Sequence, residues 1–113
     1  MADLLFFEDS HEYRLDGEKL PLMTGARELA RMGIVPGGAY RTMDYVGNRM
    51  RQTETAVQAL VDLAADPQTS GGLLVALPPE DARALVEALK SFAPWSCIVG
   101  RVIEQQDVSI IFE

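Results

Sequence analysis

Two apolar periods alternate between Leu73 and Glu113, and no other feature limits the possible folds as strongly. "LLVAL" (73–77) is short, apolar on both faces and bounded by Gly and Pro, the pattern of a buried central strand. "PPEDARALVEALKSF" follows with Ala82, Leu85, Val86, Leu89 and Phe92 at helical spacing, and with Glu80 and Asp81 near the positive end of the helix dipole. "SCIVGRVIE" and "VSIIFE" then read as strands, and the short link "QQD" suits a hairpin. A helix set among strands makes a layered domain, α+β with a mixed β-sheet and α-helices, or α/β.

The first half extends the same pattern. Met1–Leu20 is mixed; "LLFF" and "HEYRLDG" suggest one or two short strands closed by the turn signal Asp16-Gly17. "PLMTGARELARMG" predicts a helix, with Pro21 at its first position, Gly33 just past its end, and Leu22, Ala26, Leu29 and Ala30 on one face. Pro36-Gly37-Gly38 predicts a turn that breaks regular structure, and "RTMDYVGNRM" is ambiguous, a loop with a helical turn. Thr53 is placed to cap a helix over "ETAVQALVDLAA", whose buried stripe is Val57, Leu60, Val61 and Ala64. Asp66-Pro67 stops that helix, because the residue before proline avoids the helical region.

The totals fit one domain, 1–113. Its 113 residues are 48% hydrophobic and 24% charged, so a compact core is expected. A net charge of -7 disfavours non-specific binding to nucleic acid or to an anionic membrane. Cys97 is the only cysteine, which excludes an internal disulfide and suits a reducing cytoplasm; its apolar surroundings predict a buried structural thiol. His11, the only histidine, reads as an exposed strand or loop residue, and zinc sites that need several Cys or His ligands are excluded. No apolar run approaches the roughly 20 residues a bilayer requires, and "MADLLFFEDS" lacks the basic region of a signal peptide. Asp62 and Asp66, four apart at a helix end, could hold a cation but are commonplace there, while Phe92 and Trp95 are expected to cover the edge of the core.

Two glycine-rich junctions carry the chemical interest. In "DPQTSGGLL", Gly71 and Gly72 can adopt conformations barred to other residues, successive backbone N–H groups can converge on an anion, and Thr69 and Ser70 add hydroxyl donors. No Lys follows, and the helix precedes the glycines, so the segment is not a Walker A loop. A tight helix-to-strand turn explains the same residues, and spacing alone favours it. In "VPGGAYR", Gly37 and Gly38 with Arg41 could hold a phosphate or carboxylate, or simply end a helix beside a solvated arginine.

Three segments together resemble one family. "LPLMTGARELARMGIVPGGAYR", "DPQTSGGLLVALPPEDA" and "CIVGRVIE", in this order and spacing, resemble the C-terminal domain of selenophosphate synthetase (selenide, water dikinase), within the aminoimidazole ribonucleotide synthetase superfamily. The resemblance covers roughly residues 19–104, and "DPQTSGGLL" is its most specific part. It implies an α/β domain with a mixed sheet, paired in the full-length family with an N-terminal ATP-binding domain that dimerises. That enzyme makes selenophosphate from ATP, selenide and water with magnesium, releasing AMP and phosphate. The resemblance places Gln68, Thr69, Ser70, Gly71 and Gly72 near the phosphates, with Gly37, Gly38 and Arg41 as a second glycine turn.

The departures set further expectations. The family's N-terminal glycine-rich segment, its reactive Cys or selenocysteine with a nearby Lys, and its metal-binding aspartates have no counterpart here, and Thr42 stands where the family has Asn. The chain is therefore expected to be an excised or truncated C-terminal domain of a two-domain cytoplasmic enzyme. It should hold no catalytic residue, metal or cofactor by itself and be inactive alone. Its partners would be the N-terminal domain and a second copy of itself, with no nucleic acid and no membrane. The alternative is a non-catalytic stand-alone module for interaction or self-association.

Overall fold

The computed structural model describes residues 11–113. The element order is β1 (His11–Leu15), α1 (Ala26–Arg31), α2 (Gly37–Val46), β2 (Met50–Gln52), α3 (Gln58–Ala64), α4 (Pro79–Leu89), β3 (Gly100–Glu104) and β4 (Ile110–Phe112). The fold is α+β with one mixed four-stranded sheet, as the sequence predicts. The expected strand in "LLFF" and the reading of "MADLLFFEDS" lie outside the described residues.

The sheet runs β2-β4-β1-β3. β4 lies parallel to both of its neighbours, pairing Ile110 with Tyr13 of β1 and with Met50 of β2. β3 is the antiparallel edge, with Val102 opposite Tyr13. The expected hairpin between the last two strands is therefore overturned, because β1 is inserted between them. Glu12 explains how the short link passes the end of β1. Its buried carboxylate accepts the amides of Gln106 (3.3 Å) and Asp107 (3.2 Å), and a side-chain hydrogen bond from Arg14 Nε (2.9 Å). Burial pushes the Glu12 carboxyl up. The hydrogen bonds from Arg14 and the two amides, with the Arg14 charge, outweigh burial and hold it below its ordinary value.

The core lies where α3 meets the sheet. Leu15, Ile110 and Phe112 from the strands pack with Leu60 and Val61, and Met43, Val46, Val57 and Ala64 close around them. This confirms the stripe expected on α3, but the helix begins later than its sequence suggests. Val57 is its N-cap residue, and no side chain caps it. Thr53 is still part of the sheet edge, its N–H donating to the Phe112 carbonyl at 3.0 Å, and its hydroxyl contacts that of Thr55 at 2.9 Å. A residue pinned in the sheet cannot cap a helix four positions later.

α1 is also shorter than expected. It starts after Gly25, whose φ of 85° is left-handed, and Gly33 follows it at φ 79°, so Pro21 is outside the helix. Of its expected face, Ala30 is buried, while Leu22 and Leu29 are exposed. Conversely, Pro36-Gly37-Gly38 does not break structure: Pro36 is the N-cap of α2, and both glycines form its first turn. Proline and glycine are tolerated there because the first amides of a helix lack internal partners. Ala39, Met43 and Val46, at helical spacing, hold α2 against the rest.

The largest correction concerns residues 73–77. "LLVAL" is no strand, and Leu73, Leu74, Val75 and Leu77 are all exposed. α4 forms where expected, with Pro79, Glu80 and Asp81 in its first turn, yet none of its residues is buried. Phe92 and Trp95 are exposed and cover no core edge. Cys97 is exposed as well, its thiol donating to the Lys19 carbonyl at 3.2 Å. An apolar run becomes a central strand only when strands flank it on both sides, and both neighbours of every interior strand are already supplied from elsewhere. His11 is an exposed strand residue, as expected.

Candidate functional site

The two glycine-rich segments meet at one contact. A Cβ on Gly38 would lie 2.5 Å from Pro67 Cγ, closer than atoms can approach, so the first turn of α2 seats the Asp66-Pro67 corner that ends α3 only because residue 38 has no side chain. The structure thus brings Gly38 against Pro67 and lines one cavity with Gly38, Arg41 and Pro67, whereas a Cβ on Gly37 would meet only Arg41. Arg41 folds back along its helix, with one terminal nitrogen 3.8 Å from where a Gly37 Cβ would stand. Thr42 is occupied internally, its hydroxyl donating to the Gly38 carbonyl at 3.0 Å.

From Pro67 the chain continues into Gln68, Thr69, Ser70, Gly71 and Gly72, all exposed, with a turn at Thr69-Ser70. Neither Gly71 nor Gly72 has positive φ, so the conformational freedom expected of them is not used. Space is also available: a Cβ on Gly72 would meet nothing within 4 Å, and one on Gly71 would meet mainly the flexible Gln68 side chain, Oε1 at 2.9 Å. What remains is a solvent-facing loop with two hydroxyls and short side chains at its far end.

The charged groups with shifted proton affinity lie in the scaffold. Glu18 is held low by the two-pronged hydrogen bond from Arg27 (2.8 Å for each contact), which joins the turn after β1 to α1, and Arg27 is correspondingly raised by Glu18. Glu12 is the other, at the β3–β4 link. Asp62 accepts a hydrogen bond from Gln58 at 2.8 Å. Among the described residues no three His, Cys, Asp or Glu side chains form a group fit to hold a metal ion, so no chemical step on this chain is assigned to magnesium. No helix among them is long and apolar enough to cross a membrane.

The sequence reading missed Pro67 as a contact and missed the cavity between α2 and α3 that Arg41, Met43 and Val46 line. The spacing of Ala39, Met43 and Val46 was the available signal for both, since it marks α2 as a helix with one buried face.

No protein-family model matches the chain. Comparison with curated proteins does find relatives. The chain is 36% identical to the selenide, water dikinase of Clostridium botulinum (strain Eklund 17B / Type B) over 96 residues, 85% of this chain and 28% of that protein. It is 41% identical to selenide, water dikinase 2 of Peptoclostridium acidaminophilum over 98 residues, 86% of this chain and 28% of the relative. With the selenide, water dikinase of Caldanaerobacter subterraneus subsp. tengcongensis it shares 40% identity over 105 residues, 92% and 30% of the two lengths. The chain spans less than a third of the length of these relatives. Over 85–92% of its own length in these three comparisons, then, the chain belongs to the selenide, water dikinase family.

Proposed function

We propose that the chain is the C-terminal part of a selenophosphate synthetase, and that its Gln68–Gly72 loop contributes to the site where phosphates are handled. The observation that carries this reading is the seating of Pro67 on Gly38, which joins the two segments most characteristic of the family. Thr69 and Ser70, exposed just beyond that contact, can donate to phosphate oxygens, and the small residues after them keep the approach open. Magnesium and ATP belong to the complete protein, where the ion would neutralise phosphate charge. This chain's share is positioning: it supplies hydroxyls and backbone donors and no nucleophile.

Two assays test it. The purified chain with ATP, magnesium and selenide is expected to form no AMP above background; selenide-dependent AMP from the chain alone refutes the division of labour. Ser70→Ala in a full-length protein carrying this domain is expected to fold normally and lose activity, and full activity there removes the hydroxyl from the site.

A second reading, a self-associating module of cytoplasmic location, draws on the exposed Leu73, Phe92 and Trp95. It predicts a dimer or larger assembly in light scattering at high protein concentration; a monomer mass under those conditions removes it.

A further inference from the structure

A cavity of about 340 Å³ opens between α2, α3 and the sheet. Its size is in the range of small-molecule sites, roughly 300–1,000 Å³. Half-buried Met43, Val46 and Met50 line it, over a floor of the buried Phe112, Ile110 and Val61. The two β4 residues and Val61 belong to the packed core, so the floor is rigid. Among its lining residues Arg41 is the only charged one, and no described carboxylate pairs with it.

We propose that this cavity binds a small monoanion with an apolar body, an aromatic or aliphatic carboxylate, whose carboxylate pairs with the Arg41 guanidinium while its body packs on Met43, Val46 and Met50. A guanidinium presents a fork that matches a carboxylate in two parallel hydrogen bonds. A neutral apolar ligand leaves that fork unused. A phosphate dianion meets one cation only, and its second charge faces an apolar wall, where an unpaired charge is strongly disfavoured. One cation beside an apolar floor therefore selects one negative charge beside an apolar body. The cavity shares Gly38 and Pro67 with the contact at the base of the Gln68–Gly72 loop but includes neither Thr69 nor Ser70, and its test separates the two.

The experiment follows methyl NMR signals of the 113-residue chain during titration with 2-naphthoate, 2-naphthamide and inorganic phosphate. Naphthoate is expected to shift the methyls of Val61, Ile110 and Val46 saturably. Arg41→Gln, an exposed substitution checked by its unchanged amide spectrum, should weaken naphthoate by at least about tenfold and change naphthamide by less than about twofold. Phosphate should leave these methyls unmoved, and Ser70→Ala should leave naphthoate affinity unchanged. The proposal is overturned if naphthoate gives no saturable shift at millimolar concentration, or if Arg41→Gln changes nothing. Equal weakening of both naphthalene ligands, phosphate shifts at the same methyls, or parallel shifts at the exposed Leu73, Leu74 and Leu77 overturn it too.

Discussion

Residues 67–98 and the rest of the described chain are similarly apolar and very differently packed. Phe112 is 0% exposed and Leu60 1%, whereas Phe92 is 69% exposed, Trp95 66% and Leu73 93%. No residue between 67 and 98 is buried. The packed part holds all four strands and α3, and α3 closes directly on β4. The other part offers a helix with a suitable apolar stripe and a suitable apolar run, but neither is buried against the other described residues. Hydrophobic patterning specifies what a segment can bury; a neighbouring surface decides whether it does. The exposed part begins at the Gln68–Gly72 loop, the segment proposed above to contribute to a phosphate site.

The largest test of this contrast pairs two phenylalanines. Phe112→Ala removes a fully buried ring and should cost about 3–5 kcal/mol. Phe92→Ala should stay within about 0.5 kcal/mol. Urea denaturation of both variants measures the difference; comparable losses mean that the 67–98 region is packed in solution.

A pair of glycines makes a narrower comparison. A Cβ on Gly100 would stand 2.0 Å from the Arg14 carbonyl oxygen, in backbone that cannot yield without parting β1 from β3. Gly100→Ala should cost roughly 1–3 kcal/mol or more, by overpacking. Gly72→Ala faces open space without positive φ and should be neutral to within about 0.5 kcal/mol. Thermal melts of the two variants suffice. A destabilised Gly72→Ala variant would show that the loop is held against something.

Much of the packed part was legible in the sequence, and the reasons for the rest are physical. β1, β3, β4 and the stripe of α3 follow from apolar spacing, because each finds the partner its pattern requires. α2 was obscured by Pro36-Gly37-Gly38, since the same residues mark a turn or open a helix, and only Ala39, Met43 and Val46 decide between them. The strand order was not legible: a short link suggests a hairpin, and nothing local records that Glu12 holds the Gln106 and Asp107 amides while β1 lies between the strands. At the candidate site the motifs were visible, but the Gly38–Pro67 contact joins positions far apart in the chain.

Glu12 provides a test confined to the packed part. Its folded-state proton affinity is lowered, so its contribution to stability is fully present above the ordinary carboxylate range and is lost as pH falls through the lower, folded value. Glu18 contributes in the same direction, but its ion pair with Arg27 is partly exposed and weakens in salt. In high salt, urea midpoints should therefore fall on acidification below the ordinary carboxylate range. Glu12→Gln should flatten that fall while leaving the acid behaviour of Glu18 in place. An unchanged acid limb in Glu12→Gln removes the clamp from the account of how β3 and β4 straddle β1.

The smallest expected effect probes the exposed part alone. Leu73 is the most exposed large apolar side chain described, in a run without charge from Pro67 to Pro79. Leu73→Ser should change the unfolding free energy measured in urea by no more than about 0.5 kcal/mol, because a side chain already in water loses no buried area. Its solubility should rise, since an uncharged apolar run with strand-forming residues invites contact between copies. The two readouts separate two pictures of the region. A neutral midpoint with a smaller mass in light scattering places Leu73 on a surface that meets other molecules. A loss of more than about 1.5 kcal/mol, the scale of burying such a side chain, places it inside the fold instead and erases the contrast with Phe112.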